Sequence, residues 1–228
     1  MMTSIEPLYN KQCTCLLCDT VFTTKKIRIK FIKVLSHDSD FCPIYADNNN
    51  PLFYYIHVCP DCGFSFHEES TPKFSLNEKM LLIEKVCNQW TPRSFGNERS
   101  VSDAITSYKL ATYCATLREE KHVLLGGLYI RLAWIYRSIN GYYQEKRFLH
   151  LALQEYEASY MTGDYKGTIV SELKTMYLIG ELARRTKQIP KAIKYFSRII
   201  EQQTKTVEPT IIQLAKEGWN KIKTLHHT

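Results

Sequence analysis

No stretch of this chain runs the 18 or more apolar residues that a bilayer-spanning helix requires; the longest candidate, Val123 to Ile139, is broken by Arg131. Met1 to Asn10 also lacks the charged-then-apolar pattern of a secretory leader. Both absences predict a soluble cytoplasmic protein, in a reducing compartment where cysteines stay as thiols. Enzyme signatures are missing too: there is no P-loop, no Gly-x-Gly-x-x-Gly, no Gly-x-Ser-x-Gly and no His-Glu-x-x-His. The expectation is a non-enzymatic protein. Glycine and proline are few, 9 and 8 in 228 residues, and from about Ser75 onward they are expected at the joints between helical patterns.

Cysteine, by contrast, is plentiful and ordered. Cys15/Cys18 and Cys59/Cys62 form two Cys-x-x-Cys pairs. A two-residue spacer lets two thiolates from one turn take adjacent corners of a tetrahedron, so two such turns supply a complete structural Zn²⁺ site. In Cys59-Pro60-Asp61-Cys62-Gly63, Pro60 presets the turn and Gly63 permits the left-handed conformation that aims backbone N–H groups at sulfur. Cys15-Leu16-Leu17-Cys18-Asp19 has the same form, with Asp19 in the glycine's place. Four sulfurs close the shell, which leaves no open position for a catalytic water. A thioredoxin-like redox site would use one Cys-x-x-Cys within a βαβ pattern that this region lacks.

Roughly 40 residues separate Cys18 from Cys59, more than compact zinc fingers use, and zinc ribbons absorb such inserts as strands. Lys26, Arg28 and Lys30 alternate with Ile27, Ile29 and Phe31, as on a strand with one charged face. Phe53 to Val58 is also strand-like. Asp47 to Pro51 reads as a turn, and Asp38 with Asp40 forms an acidic turn that could meet a cation. Cys13, Cys42, His57 and His67 are substitute ligands if a knuckle cysteine is misassigned, while Cys87 and Cys114 read as core residues.

From Ser75 onward the apolar period becomes helical, with helices near 75–89, 101–117, 122–139, 142–161, 168–186, 190–203 and 209–225. Ser100 or Ser102 caps the second, Asn140-Gly141 and Gly163-Asp164 end later ones, and Pro190 opens a first turn. The fold class is therefore mostly α: a β-rich, zinc-ribbon-like domain over residues 1–74, then an all-α, tetratricopeptide-like helical-repeat domain over 75–228. Gly180, Ala192, Phe196 and Ile199 have the spacing of a tetratricopeptide unit. Ala104, Tyr108 and Ala111 resemble the second half of one, and Ala133, Tyr136, Leu149 and Ala152 another. Matching positions lie about 41 and 47 residues apart rather than the usual ~34, so the helices or loops are lengthened. Stacked hairpins leave a groove lined by the first helix of each pair, which suits a protein or peptide partner. Arg131, Arg137, Glu181, Arg184 and Arg185 are the candidate groove residues; Glu181 and Arg185 equally have the i,i+4 spacing of a surface ion pair.

Several segments carry a family resemblance: Glu6-Pro7-Leu8-Tyr9, the first knuckle with Phe22-Thr23-Thr24-Lys25-Lys26, Asp38-Ser39-Asp40-Phe41-Cys42-Pro43 and Asn50-Pro51-Leu52 near the N-terminus. The second knuckle, Arg131-Leu132-Ala133-Trp134-Ile135-Tyr136-Arg137 and Tyr177-Leu178-Ile179-Gly180-Glu181-Leu182 complete it. Together they resemble the bacterial domain of unknown function 2225 over nearly the whole chain. The resemblance implies a bacterial cytoplasmic protein with a zinc-ribbon-like head and a tetratricopeptide-like tail, and no established activity. Asp19 departs from the family's usual glycine.

The formal charge of +7 is uneven: residues 1–75 hold 7 basic and 8 acidic groups, the rest 23 and 15. Zinc with four thiolates would make the head more negative still, which argues against a general nucleic-acid clamp. The leading expectation is a protein-interaction module with structural zinc; the alternative is a nucleic-acid-binding ribbon using Lys26, Arg28 and Lys30, with aromatics such as Phe31, Tyr54 and Tyr55 available to stack on bases.

Overall fold

The computed structural model describes residues 5–204 and 207–225, so the Met1–Asn10 reading lies partly outside the described residues. The chain is mostly helical, with small antiparallel ribbons confined to its N-terminal region. No helix among the described residues is long and apolar enough to cross a membrane. Two compact units divide the chain. One combines the segment ending at Ser36 with Pro43–Glu120; the other combines His37–Cys42 with the chain from Lys121 onward.

In the first unit β1 (Leu8–Thr14) pairs antiparallel with β2 (Val21–Ile27), from Leu8↔Ile27 to Thr14↔Val21. The ladder stops where Pro7, which lacks an N–H, leaves only its carbonyl to accept from Arg28 N at 2.9 Å. Ile29–Phe31 then form a single 3₁₀ turn. The expected charged strand face is thereby corrected: Lys26 is the penultimate residue of β2, Arg28 follows the strand, and Lys30 lies in the turn. Phe53 to Val58 also differs from expectation. The Asn50 side chain accepts from Leu52 N at 3.0 Å and Pro51 fixes the next φ, so Pro51–Tyr54 winds as 3₁₀. Only β5 (His57–Val58) remains extended, paired with β6 (Ser65–Phe66). Local side-chain capping has overridden β propensity there.

Two helices complete this unit. Capping boxes start both: Ser75 with Glu78 for α1 (Leu76–Lys85), Ser100 with Asp103 for α2 (Val101–Leu117). Leu82 and Val86 around the end of α1 and Cys114 of α2 share one core with Cys15, Phe22, Cys59, Phe64 and Phe66. The compact units consequently do not part at 74/75. A cysteine-rich head has too few aliphatic side chains to close a core, and the two helices supply the missing layer. Arg99 is buried beneath them and donates to the carbonyls of Ile56 (2.8 Å), Phe53 and Phe95 (3.0 Å each). Burial depresses its pKa to about 10.

The second unit is a succession of helices: α3 (His122–Ser138), α4 (Tyr142–Thr162), α5 (Glu172–Arg185), α6 (Ile189–Ile200) and α7 (Pro209–Leu225). Asn140 and Gly163 adopt positive φ at the breaks, and Pro190 stands in the first turn of α6. α5 starts four residues later than the periodicity predicts, because the Ser171 hydroxyl caps it by accepting from Lys174 N at 3.0 Å. Each helix packs on the next, and α5 also packs on α7. The ring of Phe196, fully buried on α6, is the wedge among these three helices. A Cβ placed on Gly180 of α5 or Gly218 of α7 would lie only 2.8 and 2.6 Å from it. Ala104, Tyr108 and Ala111 belong to α2 in the other unit, outside this succession.

β3 (Val34–His37) and β4 (Pro43–Tyr45) form a further two-stranded ribbon. From Arg28 to Asn50 a single residue is fully buried, Asp40.

Candidate functional site

The two knuckles are turns of the β1–β2 and β5–β6 ribbons and share one hydrogen-bond pattern. Cys15 N donates to Thr20 O (2.9 Å) and Asp19 N to Cys15 O (3.1 Å); Cys59 N donates to Phe64 O (3.0 Å) and Gly63 N to Cys59 O (3.1 Å). Asp19 and Gly63 have φ of 60° and 73°, so aspartate does adopt the left-handed conformation that glycine supplies in the other knuckle. The Thr20 hydroxyl bridges the pair by donating to Asp61 Oδ2 at 3.0 Å. Four Sγ atoms result, all within 4.8 Å of one another. Cys15–Cys62 and Cys18–Cys59 are 3.7 Å apart and Cys18–Cys62 3.4 Å. A tetrahedron with metal–sulfur bonds of about 2.3 Å has edges of about 3.8 Å, whereas a disulfide needs about 2.05 Å. All eight cysteines are free thiols, and these four could hold one metal ion.

Electrostatics agree with that geometry. The hydrogen bond from Cys62 lowers the Cys15 thiol to about 6, burial lifts Cys59 to about 12, and Cys62 is raised chiefly by Cys15. A thiolate at Cys15 thus holds the neighbouring Cys62 protonated, as expected for crowded sulfurs lacking a cation.

The remaining ligand alternatives lie elsewhere. Cys13 Sγ pairs with His57 Nδ1 at 3.4 Å, and His67 Nδ1 accepts from Glu69 N at 3.1 Å. Cys42 belongs to the helical unit, where burial and the Asp40 carboxylate push it up to about 12. Sequence reasoning missed two neighbours of the tetrad. Cys87, read as a core residue, is only half-buried, and burial and then its cysteine neighbours in the tetrad set its thiol, whose pKa is raised. Trp90 donates from Nε1 to Pro60 O at 2.8 Å, and its ring covers Gly63 so closely that a Cβ there would be 2.4 Å away. No local pattern marks either residue, because each reaches the knuckles only through the packing after α1.

The basic residues of the nucleic-acid alternative are engaged within their own unit. Lys26 bonds Glu68 at 2.7 Å, Arg28 Nε donates to Glu6 O at 3.2 Å, and Lys30 lies over the Phe31 ring.

In the helical unit four of the five candidate groove residues converge. Arg137 makes a fork to Asp40, with Nη2–Oδ2 at 2.6 Å and Nη1–Oδ1 at 3.1 Å. It also reaches Asp38 Oδ2 (3.0 Å) and Glu145 Oε1 (2.7 Å). Trp134 Nε1 donates to Asp40 Oδ2 at 3.1 Å. From α5, Arg185 meets Asp38 Oδ1 (2.7 Å) and Glu181 (2.7 Å), Arg184 meets Glu181 (2.6 Å), and Tyr177 OH donates to Ser39 O (2.7 Å). The Ser39 hydroxyl donates to Glu181 Oε1 at 2.6 Å, and the Phe41 ring packs on Tyr177. Despite opposing burial, Arg185 and the Ser39 N–H hold the Asp38 carboxyl below its ordinary pKa. The acidic turn does meet cations, but they are guanidinium groups. Arg131 stands apart, donating to Gly127 O at 2.8 Å within α3.

The sequence pattern of a family described as "Uncharacterized protein conserved in bacteria (DUF2225)" matches residues 8–222. No curated protein and no solved structure matches the chain.

Proposed function

The chain belongs to the bacterial family DUF2225, and from that premise we propose that it is a non-enzymatic, cytoplasmic protein-interaction module. Zn²⁺ held by Cys15, Cys18, Cys59 and Cys62 is its structural clamp, and its tetratricopeptide-like helices hold a protein segment. The observation that carries the reading is the concentration of Arg137, Glu181, Arg184 and Arg185, with Trp134 and Tyr177, around a short stretch of backbone. Two aromatic donors and several forked cations are peptide-recognition chemistry. The sulfur spacing supports zinc, since it matches a four-coordinate thiolate shell that needs no water and offers no reactive position. The engaged state of Lys26, Arg28 and Lys30 weighs against a nucleic-acid clamp.

Two measurements test this. Protein prepared without added metal should carry one zinc per chain; chains lacking zinc would refute the clamp. Cross-linked capture from the native host should recover a defined protein that disappears with Arg137→Gln/Arg185→Gln. Retention of nucleic acid through high salt with no protein partner would refute the interaction role.

A further inference from the structure

The helical unit already contains the kind of ligand it is built to hold. His37–Cys42 is a closed turn: Asp38 N donates to Cys42 O and Phe41 N to Asp38 O, both at 2.8 Å, with Phe41 at φ 65°. Its central side chains are met by α3 and α5: the Asp40 carboxylate by Arg137 and Trp134, Asp38 by Arg137 and Arg185, and the Ser39 hydroxyl by Glu181, with the Ser39 carbonyl accepting from Tyr177. The Phe41 ring contacts both Tyr177 and the Lys174 ammonium. Around the turn the helices contribute Arg137, Arg184 and Arg185 against Glu145 and Glu181, leaving an excess of positive charge for an acidic occupant.

What joins this turn to the chain holds it only weakly. All four residues of β3 are exposed, with Leu35 70% and Ile44 of β4 49% accessible, and a two-stranded ribbon by itself contributes little stability in water. A strand with so little burial opens locally at low cost, so the contacts of the turn itself with α3 and α5, the ion pairs of Asp38 and Asp40 foremost, are its anchor.

The geometry points to a displaceable resident ligand. The helical unit reads an Asp-x-Asp-aromatic turn, its own His37–Cys42 fills the site in the resting protein, and a protein partner carrying such a turn binds by exchanging with it. This rests on the interaction reading above and specifies the partner's chemistry. The tether sets the effective concentration of the resident turn at about millimolar or more, so a free turn of equal quality binds weakly until the resident one is disarmed.

The probe is a fluorescent peptide of residues 35–45 with Cys42 replaced by serine, titrated against the full chain. Wild type should bind it at least tenfold more weakly than Asp38→Asn/Asp40→Asn. Adding Arg137→Gln to that variant should abolish binding, and a peptide with both aspartates changed to asparagine should not bind. A zinc-loaded, folded Asp38→Asn/Asp40→Asn chain that binds no better than wild type overturns the inference. If that variant does not fold, native-state hydrogen exchange of the wild type decides. Amides of 34–45 should exchange far faster than those of α3 and α5, and exchange only through global unfolding overturns displacement. Failure here alongside Arg137-dependent capture of a host protein would sink the exchange mechanism alone, whereas loss of both would sink the interaction role too.

Discussion

Replacing a helical glycine with alanine ordinarily stabilises a helix by about 0.8–1 kcal/mol. At Gly180 and Gly218 the sign should reverse. A Cβ at Gly180 would approach Phe196 Cε1 to 2.8 Å, and one at Gly218 would approach Cζ to 2.6 Å, distances real Cβ atoms do not tolerate. Overpacking of this kind costs about 1–3 kcal/mol, so each single alanine should destabilise by about 0–2 kcal/mol after its propensity gain. Because the two methyl groups press on different edges of one ring, Phe196 can yield to either by moving toward the other glycine. Gly180→Ala/Gly218→Ala closes both escapes and should cost more than the sum of the singles, by about 0.5 kcal/mol or more. Urea unfolding followed by circular dichroism at 222 nm gives all three values. Phe196→Leu supplies the control: it leaves a cavity and lowers stability itself, but in its background the two alanines should become additive. A stabilising Gly180→Ala, or additive alanines with Phe196 intact, would refute the wedge as the reason for those glycines.

If the four cysteines hold Zn²⁺ as proposed, removing it should undo the first unit's core, since Cys15 and Cys59 are part of that core. Chelation or Cys59→Ser is expected to abolish zinc retention and expose Leu82 and Val86, read as new dye binding and a loss of near-ultraviolet ellipticity; structural zinc sites are worth about 10 kcal/mol or more in apparent terms. Arg99→Lys should lower stability by about 3 kcal/mol, because a single ammonium cannot satisfy carbonyls on both sides of the buried fork and each orphaned acceptor costs about 1–3 kcal/mol; unchanged urea midpoints would contradict this. Hydrogen bonds from Lys11 and then Lys26 lower the Glu68 pKa from 4.5 to about 2. A depressed carboxyl stabilises fully above its unfolded pKa and loses that contribution as pH falls through the folded value. The gap in melting temperature between wild type and Glu68→Gln should therefore be constant above pH 4.5 and close toward pH 2.

Much of the architecture is written locally. Helix starts at Ser75 and Ser100, the left-handed turns at Asp19 and Gly63 and the breaks at Asn140 and Gly163 depend on side chains within a few residues of the backbone they govern. Periodicity therefore places the helices to within a turn, and the Cys-x-x-Cys spacing places the knuckles. The strand expected at Phe53–Val58 differs because Asn50 bonds to a backbone N–H two residues on, a competition that hydrophobic pattern does not record.

What the sequence determined unaided is thus the mostly helical fold, the four cysteines that could share a metal ion and the basic groups gathered on α3 and α5; each follows from short spacings. Tertiary structure alone decided which units those pieces join. Leu82, Val86 and Cys114 bind α1 and α2 to the cysteine core across tens of residues, and Arg137 finds Asp40 nearly a hundred residues away. Charge complementarity and packing at that range depend on how the chain folds back on itself, which no local spacing encodes.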